Sequence, residues 1–329
     1  MKKIKIAQIG TSLYSHGQLI WETITAQPDL FEIAGYALPE NEAEKFPRKM
    51  PAFEGFRQLM VEEILTDPTI EAVTIETEEI YLTKYALMAA KAGKHIHMEK
   101  PGGLNSADFE ALIAAMKKSG KVLHLGYMYR YNPYVQELLA KVRSGELGEI
   151  INVEAQMNMM FPLTDEARQW LKTFPGGMTF FLGCHLIDLI LQIQGTPQEI
   201  LPLNCATHIG GTTSEDFGMA AFKYPNGVSF AKTNAAEVGG YNRRQLVVCG
   251  SKGTVELKPL EINEGRSCVS TARAEYPSGA HSQSAPFNRY GGMMAAFAAY
   301  ARGEKENPYT LDYELTLYQT ILKACGAIK

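Results

Sequence analysis

The sequence predicts a doubly wound parallel α/β sheet followed by an α+β domain with a large, open and mostly antiparallel sheet. Three observations carry this. Strand and helix patterns alternate over the first 125 or so residues, and the strand patterns there are almost continuously apolar. Beyond residue 150 they give way to longer strands joined by tight turns. Parallel strands covered on both faces read as apolar runs, whereas antiparallel strands with one wet face alternate.

In the first part the strand patterns are Ile4–Ile9, Phe31–Leu38, Ala72–Thr77, His95–Glu99 and Val122–Gly126. Helical patterns lie between them at His16–Gln27, Phe56–Thr66, Leu82–Ala92 and Ser106–Ser119. Ligands of such sheets bind at the carboxyl ends of the strands. That rule gathers Gly10–Tyr14, Leu38–Glu40, Thr77–Glu79, Glu99–Pro101 and Gly126–Arg130 on one rim. A helix over Pro133–Ser144 and a long strand over Ile150–Met160 open the second part. Glu215–Tyr224 and Val228–Ala236 read as a hairpin whose Asn226-Gly227 supplies the positive φ of a tight turn. Gln245–Gly250 and Thr254–Lys258 read as another, and one apolar helix spans Met178–Gln194. Ser278–Ala285, rich in Ser, Gly and Ala, reads as a mobile loop. The expected domains are residues 1–125 and 126–329.

The 329 residues are 46% apolar and 21% charged, the balance of a globular enzyme rather than a disordered chain. Thirty-two basic against 36 acidic residues leave a net charge of −4 with no basic stripe, which disfavours a nucleic-acid partner. The opening Met1-Lys2-Lys3-Ile4-Lys5-Ile6 runs straight into a strand pattern, and no apolar run is long enough to span a bilayer. Cys184, Cys205, Cys249, Cys268 and Cys325 have neither metal-ligand spacing nor a disulfide framework. Buried free thiols, a cytoplasmic location and no bound metal are therefore expected.

Lys100 follows a buried strand and precedes Pro101-Gly102-Gly103, whose glycines leave room for a ligand. A partly dry lysine there can donate to a substrate oxygen or titrate below its free value. Otherwise it caps strand carbonyls or pairs with Glu99. His185 stands inside an apolar helix, sharing a face with Phe181, Leu182, Asp188 and Leu189. It can exchange a proton with a substrate hydroxyl or rest as a core histidine bonded to a backbone carbonyl. The turn Gly10-Thr11-Ser12-Leu13-Tyr14-Ser15 stands where a G-x-G-x-x-G dinucleotide fingerprint belongs, with Ser12 and Ser15 in place of the later glycines.

Together these pieces resemble the glucose-fructose oxidoreductase / inositol dehydrogenase (Gfo/Idh/MocA) family over essentially the whole chain. The segments that carry the resemblance are Ala92-Gly93-Lys94-His95-Ile96-His97-Met98-Glu99-Lys100-Pro101, Gly126-Tyr127-Met128-Tyr129-Arg130-Tyr131-Asn132-Pro133, Ser144-Gly145-Glu146-Leu147-Gly148 and Gly183-Cys184-His185-Leu186-Ile187-Asp188. The resemblance implies a Rossmann domain, then an open-sheet domain that forms a homodimer or homotetramer. It also implies an NAD(P) cofactor and a sugar, polyol or similar substrate. Lys100 looks like the family's substrate-polarising lysine, and His185 like its proton-transferring histidine. Cofactor contacts are expected from Gly10, Thr11, Ser12, Leu13, Tyr14, Leu38, Thr77, Glu79, Glu99, Lys100 and Arg130. Tyr129, Asn158, Arg168 and Trp170 are candidates to line the substrate pocket with Lys100 and His185. No arginine follows the second strand to clamp a 2′-phosphate, which favours NAD over NADP.

Four departures from the family pattern fall on functional positions: the glycine-poor loop, Leu38 where an aspartate is usual, Glu78-Glu79, and Phe181 four residues before His185. They fit a second function on the same scaffold, a non-catalytic ligand sensor or regulatory protein.

Overall fold

A computed structural model describes residues 2–160, 164–260, 267–272, 279–284 and 288–329. The chain divides into two compact units. The first is Met1–Gly126 with Tyr290–Thr316, the second Tyr127–Arg289 with Leu317–Lys329. This differs from the expected 1–125 and 126–329, because the chain returns to the first unit after residue 289. α9 (Gly291–Ala301) belongs to the first unit, and α10 (Leu311–Ala324) runs across the division. Both were unassigned from the sequence.

The sheet of the first unit is parallel, in the order β2-β1-β3-β4-β5. Its strands are β1 (Ile4–Ile9), β2 (Phe31–Ala37), β3 (Ala72–Ile75), β4 (His95–Met98) and β5 (Leu123–Leu125), each ending one or two residues before the predicted end where it differs. The crossover helices are α1 (Gly17–Thr25), α3 (Val61–Thr66), α4 (Leu82–Lys91) and α5 (Ser106–Ser119), with a single-turn α2 (Glu42–Lys45) after β2. The helix expected from Phe56 starts only at Val61. Arg57 and Leu59 instead exchange backbone hydrogen bonds with Tyr36 and extend the sheet edge. In the order 2-1-3-4-5 the chain reverses direction across the sheet beside β1, so the crevice outside the β1 and β3 ends is the ligand position.

The second unit holds an eight-stranded sheet in the order β13-β12-β11-β10-β6-β9-β8-β7, antiparallel except for β6 with β9. The strands are β6 (Ile150–Asn158), β7 (Glu199–Pro202), β8 (Phe217–Tyr224), β9 (Gly227–Asn234), β10 (Gln245–Gly250), β11 (Gly253–Lys258), β12 (Ser267–Ala272) and β13 (Gly279–Ser284). The helices are α6 (Pro133–Arg143), α7 (Asp165–Lys172) and α8 (Cys184–Gln194), of which α8 packs on β6 and β9. Gly279–Ser284 is thus an edge strand rather than a loop; Ser278 and Ala285 lie outside the described residues.

Two local expectations change. The β8–β9 turn is Pro225-Asn226, and neither Asn226 nor Gly227 has a positive φ. Glycine is needed at 227 for closeness, since a Cβ there would stand 1.9 Å from the Ile151 carbonyl oxygen. The apolar helix is π-helical over Thr179–Gly183 before α8 begins. Among the cysteines, Cys184 and Cys325 are buried as expected, but Cys205 is exposed and Cys249 half-buried. The Cys268 side chain lies outside the described residues. No helix among the described residues is long and apolar enough to cross a membrane, and none of their acidic, His and Cys groups forms a metal-binding cluster.

Candidate active site

The β1–α1 turn is built without the usual glycines. Gly10 is the one position that demands its residue type: its φ is +89°, and a Cβ would lie 2.3 Å from Thr77 Cγ2. Beyond it the two serines bond reciprocally. The Ser12 N–H donates to Ser15 Oγ at 3.2 Å, and the Ser15 N–H to Ser12 Oγ at 3.1 Å. The Gly17 N–H, opening α1, also donates to Ser15 Oγ. Side-chain oxygens therefore hold a tight turn whose tip, Leu13-Tyr14, remains half-exposed while Thr11, Ser12 and Ser15 are buried.

Leu38 is half-buried and carries no acid; the carboxylate that reaches the turn is Glu42 on α2. It is fully buried, and its Oε2 accepts the Thr11 N–H at 3.1 Å. Burial pushes the Glu42 carboxyl up to about 9, against the lowering effect of that hydrogen bond. Glu40 is already engaged, accepting from Lys84 Nζ at 2.5 Å and Tyr85 Oη at 2.6 Å, which holds its carboxyl below the usual range.

At the ends of β3 and β4 stand Glu76, Thr77, Glu79, Glu99 and Lys100, all buried. Lys100 is 3% exposed, with Nζ 3.5 Å from Glu99 Oε1. Two of these carboxyl groups have a raised proton affinity. Glu76 is held well above the usual carboxylate range by burial first and by Glu99 and Glu79 next. Glu99 is raised by burial, with Lys100 pulling the other way. Gly102 and Gly103 have a packing reason to be glycine. Their positive φ angles and closeness to the Phe109 ring and the Thr83 side chain account for them.

Behind this rim a row of polar side chains crosses the core. Register pairs Gln8 with Thr74, Thr74 with His97 and His97 with His124, so all four share one face of the sheet. Thr74 Oγ1 donates to Gln8 Oε1, and the two histidines meet Nδ1 to Nδ1 at 2.7 Å, an arrangement that needs one shared proton. His97 Nε2 lies 3.6 Å from Glu76 Oε1. Burial lowers His97 to about 3, so it is neutral. Neither oxygen of Glu76 nor His97 Nε2 has a hydrogen-bond partner, so this is a close approach of two buried polar groups rather than a bond.

In the second unit His185 is 3% exposed and lies edge-on to the rings of Tyr127 and Tyr129, with centroids 5.7 and 5.6 Å away. Asp188, one turn on, is held by Arg130 Nε at 3.1 Å and Nη2 at 2.8 Å and by Gln192 Nε2 at 2.9 Å. The Arg130 guanidinium also stacks 4.4 Å from the Tyr127 ring centroid. Arg130 therefore fixes α8 and the Tyr127–Tyr131 segment to each other. Phe181 is buried with Trp170, edge to face at 4.7 Å, and Phe174 joins them. Trp170 is thus partly spent on packing. Asn158 is buried with Oδ1 unpartnered, its Nδ2 donating weakly to Gln156. Arg168 reaches Asp165 at 3.4 Å, and its Nε is buried without a partner.

Residues 4–127 match the family described as "Oxidoreductase family, NAD-binding Rossmann fold", and residues 135–256 the "GFO/IDH/MocA C-terminal domain". The chain belongs to the Gfo/Idh/MocA oxidoreductase family. An uncharacterized oxidoreductase of Rhizobium meliloti, ORF334, is 38% identical over 265 residues, 77% of this chain and 76% of that one. Myo-inositol 2-dehydrogenase of Thermotoga maritima is 26% identical over 200 residues, 59% of this chain and 58% of that one. In fold, aldose-aldose oxidoreductase of Caulobacter crescentus matches 99% of this chain and 97% of its own, with a TM-score of 0.81 and 21% identity.

The family's NAD-binding fold implies a nicotinamide dinucleotide, and the residues of the β1–α1 turn fit one. Gly10 keeps the backbone close to Thr77, the tip Leu13-Tyr14 is accessible, and Thr11 Oγ1 and Glu42 Oε1 are buried without hydrogen-bond partners. Sequence reasoning missed Glu42, Glu76, His97 and His124. A signal for His124 was present: it interrupts the otherwise apolar β5.

Proposed function

We propose that this chain transfers a hydride between a nicotinamide cofactor and a secondary alcohol or carbonyl carbon of a sugar, polyol or related hydroxy or keto compound. The observation that carries the reading is Lys100, an almost fully buried ammonium at the end of β4 beside Glu99, on the rim where this fold takes its ligands. A desolvated ammonium polarises a bound oxygen far more effectively than a hydrated one. The inositol dehydrogenase and aldose-aldose oxidoreductase among its relatives and fold neighbours support the substrate class.

When bound, the nicotinamide supplies or takes up the hydride. Lys100 donates to the reacting oxygen, and His185, steered by the two tyrosine rings, exchanges that oxygen's proton. Gly10, Thr11, Ser12, Leu13 and Tyr14 receive the dinucleotide. Leu38, Thr77, Glu79 and Glu99 line its place, and Tyr129, Asn158, Arg168 and Trp170 contact the substrate. NAD is taken ahead of NADP because no arginine follows β2. The active form is a cytoplasmic homodimer or homotetramer joined through the eight-stranded sheet.

Titration with NADH and with NADPH, followed by nicotinamide fluorescence, tests the reading, and failure of both to bind at millimolar concentration ends it. Lys100→Ala is expected to keep cofactor affinity and lose turnover on a polyol and sugar panel. The sensor alternative is favoured by Phe181, which cannot accept a proton, and predicts saturable cofactor binding with no turnover by the unaltered chain.

A further inference from the structure

Two ion pairs cross the cofactor crevice of the first unit. Lys45 on α2 bonds Glu78 at 2.7 Å, and Lys84 on α4 bonds Glu40 at 2.5 Å. Each joins the segment after β2 to the segment after β3, and β1 lies between those strands in the sheet. Both pairs therefore bridge the two segments that follow the neighbours of β1 in the sheet. Both ammonium groups also stand near one ring, that of Tyr81, at 5.7 and 5.6 Å from its centroid.

What lies beneath is consistent with a covered ligand seat. Thr11 and Glu42 are fully buried, yet Thr11 Oγ1 and Glu42 Oε1 find no hydrogen-bond partner. Glu42 links the two levels, accepting the Thr11 N–H while feeling the charges of Glu78, Lys45 and Glu40. Its raised carboxyl carries a proton near neutral pH, so it adds no negative charge to the seat. The two lysines are meanwhile half-exposed and easily re-paired. Exposed ion pairs of this kind contribute little to stability, so their rearrangement is cheap.

We propose that Lys45 and Lys84 form a phosphate clamp for the dinucleotide, with Glu78 and Glu40 occupying the two ammonium groups until a ligand phosphate replaces them. The clamp rests on the cofactor reading above. Its chemistry suits either the pyrophosphate or a 2′-phosphate, and the two cofactors tell these apart. The carboxylates act as internal competitors, so the two sides of each ion pair have opposite effects on affinity. Breaking a mere surface ion pair, or opening a closed latch, has no such asymmetry.

The test is a fluorescence titration of the full chain with NADH and NADPH, comparing Lys45→Ala, Lys84→Ala, Glu40→Gln and Glu78→Gln, with circular dichroism confirming the fold of each. The lysine variants should weaken binding about tenfold, and the glutamine variants should tighten it about threefold. A loss equal for both cofactors assigns the clamp to the pyrophosphate; a loss confined to NADPH assigns it to the 2′-phosphate. Lysine variants within twofold of the parent, or binding more tightly along with the glutamine variants, overturn the clamp and leave the cofactor reading intact. If the unaltered chain and every variant bind neither nucleotide at millimolar concentration, the cofactor reading falls and the clamp with it.

Discussion

Single residues in the first unit's core are tuned against one another by protonation. Glu76 keeps its proton in the fold above the pH at which an unfolded glutamate, near 4.5, loses it. Above that pH the unfolded chain binds fewer protons than the native one, so stability falls as pH rises towards the folded value. Glu76→Gln removes this cost. It should be more stable than the parent at pH 8 by about 1 kcal/mol or more, with the gap closing near pH 4, as read by urea unfolding at both values. His97 works in the other direction. It is held down to about 3, so below its ordinary 6.5 the unfolded chain takes up the extra proton. That contribution is complete above pH 6.5 and fades at up to about 1.4 kcal/mol per pH unit on acidification towards 3. His95, lowered to about 4 by burial, adds to the same acid limb. In the second unit the Arg130–Asp188 pair is 1% exposed on both sides. Asp188→Ala takes the facing carboxylate from a buried guanidinium and should cost about 3–5 kcal/mol, measurable as a lower urea midpoint.

Elements carry the site because their ends are fixed by identifiable groups. α5 starts where Asn105 Oδ1 accepts the N–H groups of Ala107 and Asp108, and it stops at Gly120 with φ +65°. Asn105→Ala should lower stability by about 1 kcal/mol and loosen the Glu99–Gly103 turn just before the helix, seen as faster amide exchange there. The bounds of that helix were legible in the sequence, as was most of the first unit. Apolar runs of four to seven residues separated by amphipathic stretches have few alternative folds, so strand starts and helix types follow from the pattern. Features that depend on contacts far along the chain were not legible. Arg57 and Leu59 leave a helix pattern because the Tyr36 backbone, on the edge strand, needs partners. The π-helical turn at Thr179–Gly183 has no periodicity of its own to reveal it. Likewise Lys100 and His185 stood out by motif, whereas Glu42 became visible only when the fold returned α2 to the β1–α1 turn. The serines at 12 and 15 looked like losses from a glycine fingerprint. Their reciprocal bonds make them a different construction of the same turn.

At the scale of the whole chain, one face of the eight-stranded sheet is half-exposed along β6, β8 and β9. α8 covers the face carrying Val153, Ala155 and Ala231, and residues of opposite parity point the other way. Register lines up Leu201, Ala221, Phe230, Glu154, Val247 and Glu256 as one row across that second face. Four of the six are apolar, and Leu201 is 55% exposed. Neighbouring rows add Met219 and Val228 among Lys232, Gln156, Asn152 and Lys223. An apolar centre interleaved with polar groups is the composition of a specific protein interface rather than of a core or an ordinary wet surface. A second copy of the same face would supply a partner of matching area and chemistry, and closed symmetry would make one such contact self-limiting. Phe230 lies at the centre of the row, with β6 on one side and β8 on the other. Phe230→Glu would set two carboxylates against each other across a two-fold axis while leaving the α8 side of the sheet untouched. Light scattering after size exclusion is therefore expected to show a dimer or tetramer for the unaltered chain and a smaller species for the variant, with the same far-ultraviolet circular dichroism. A variant with unchanged mass, or a parent that is already monomeric at micromolar concentration, would remove this face as the oligomer contact.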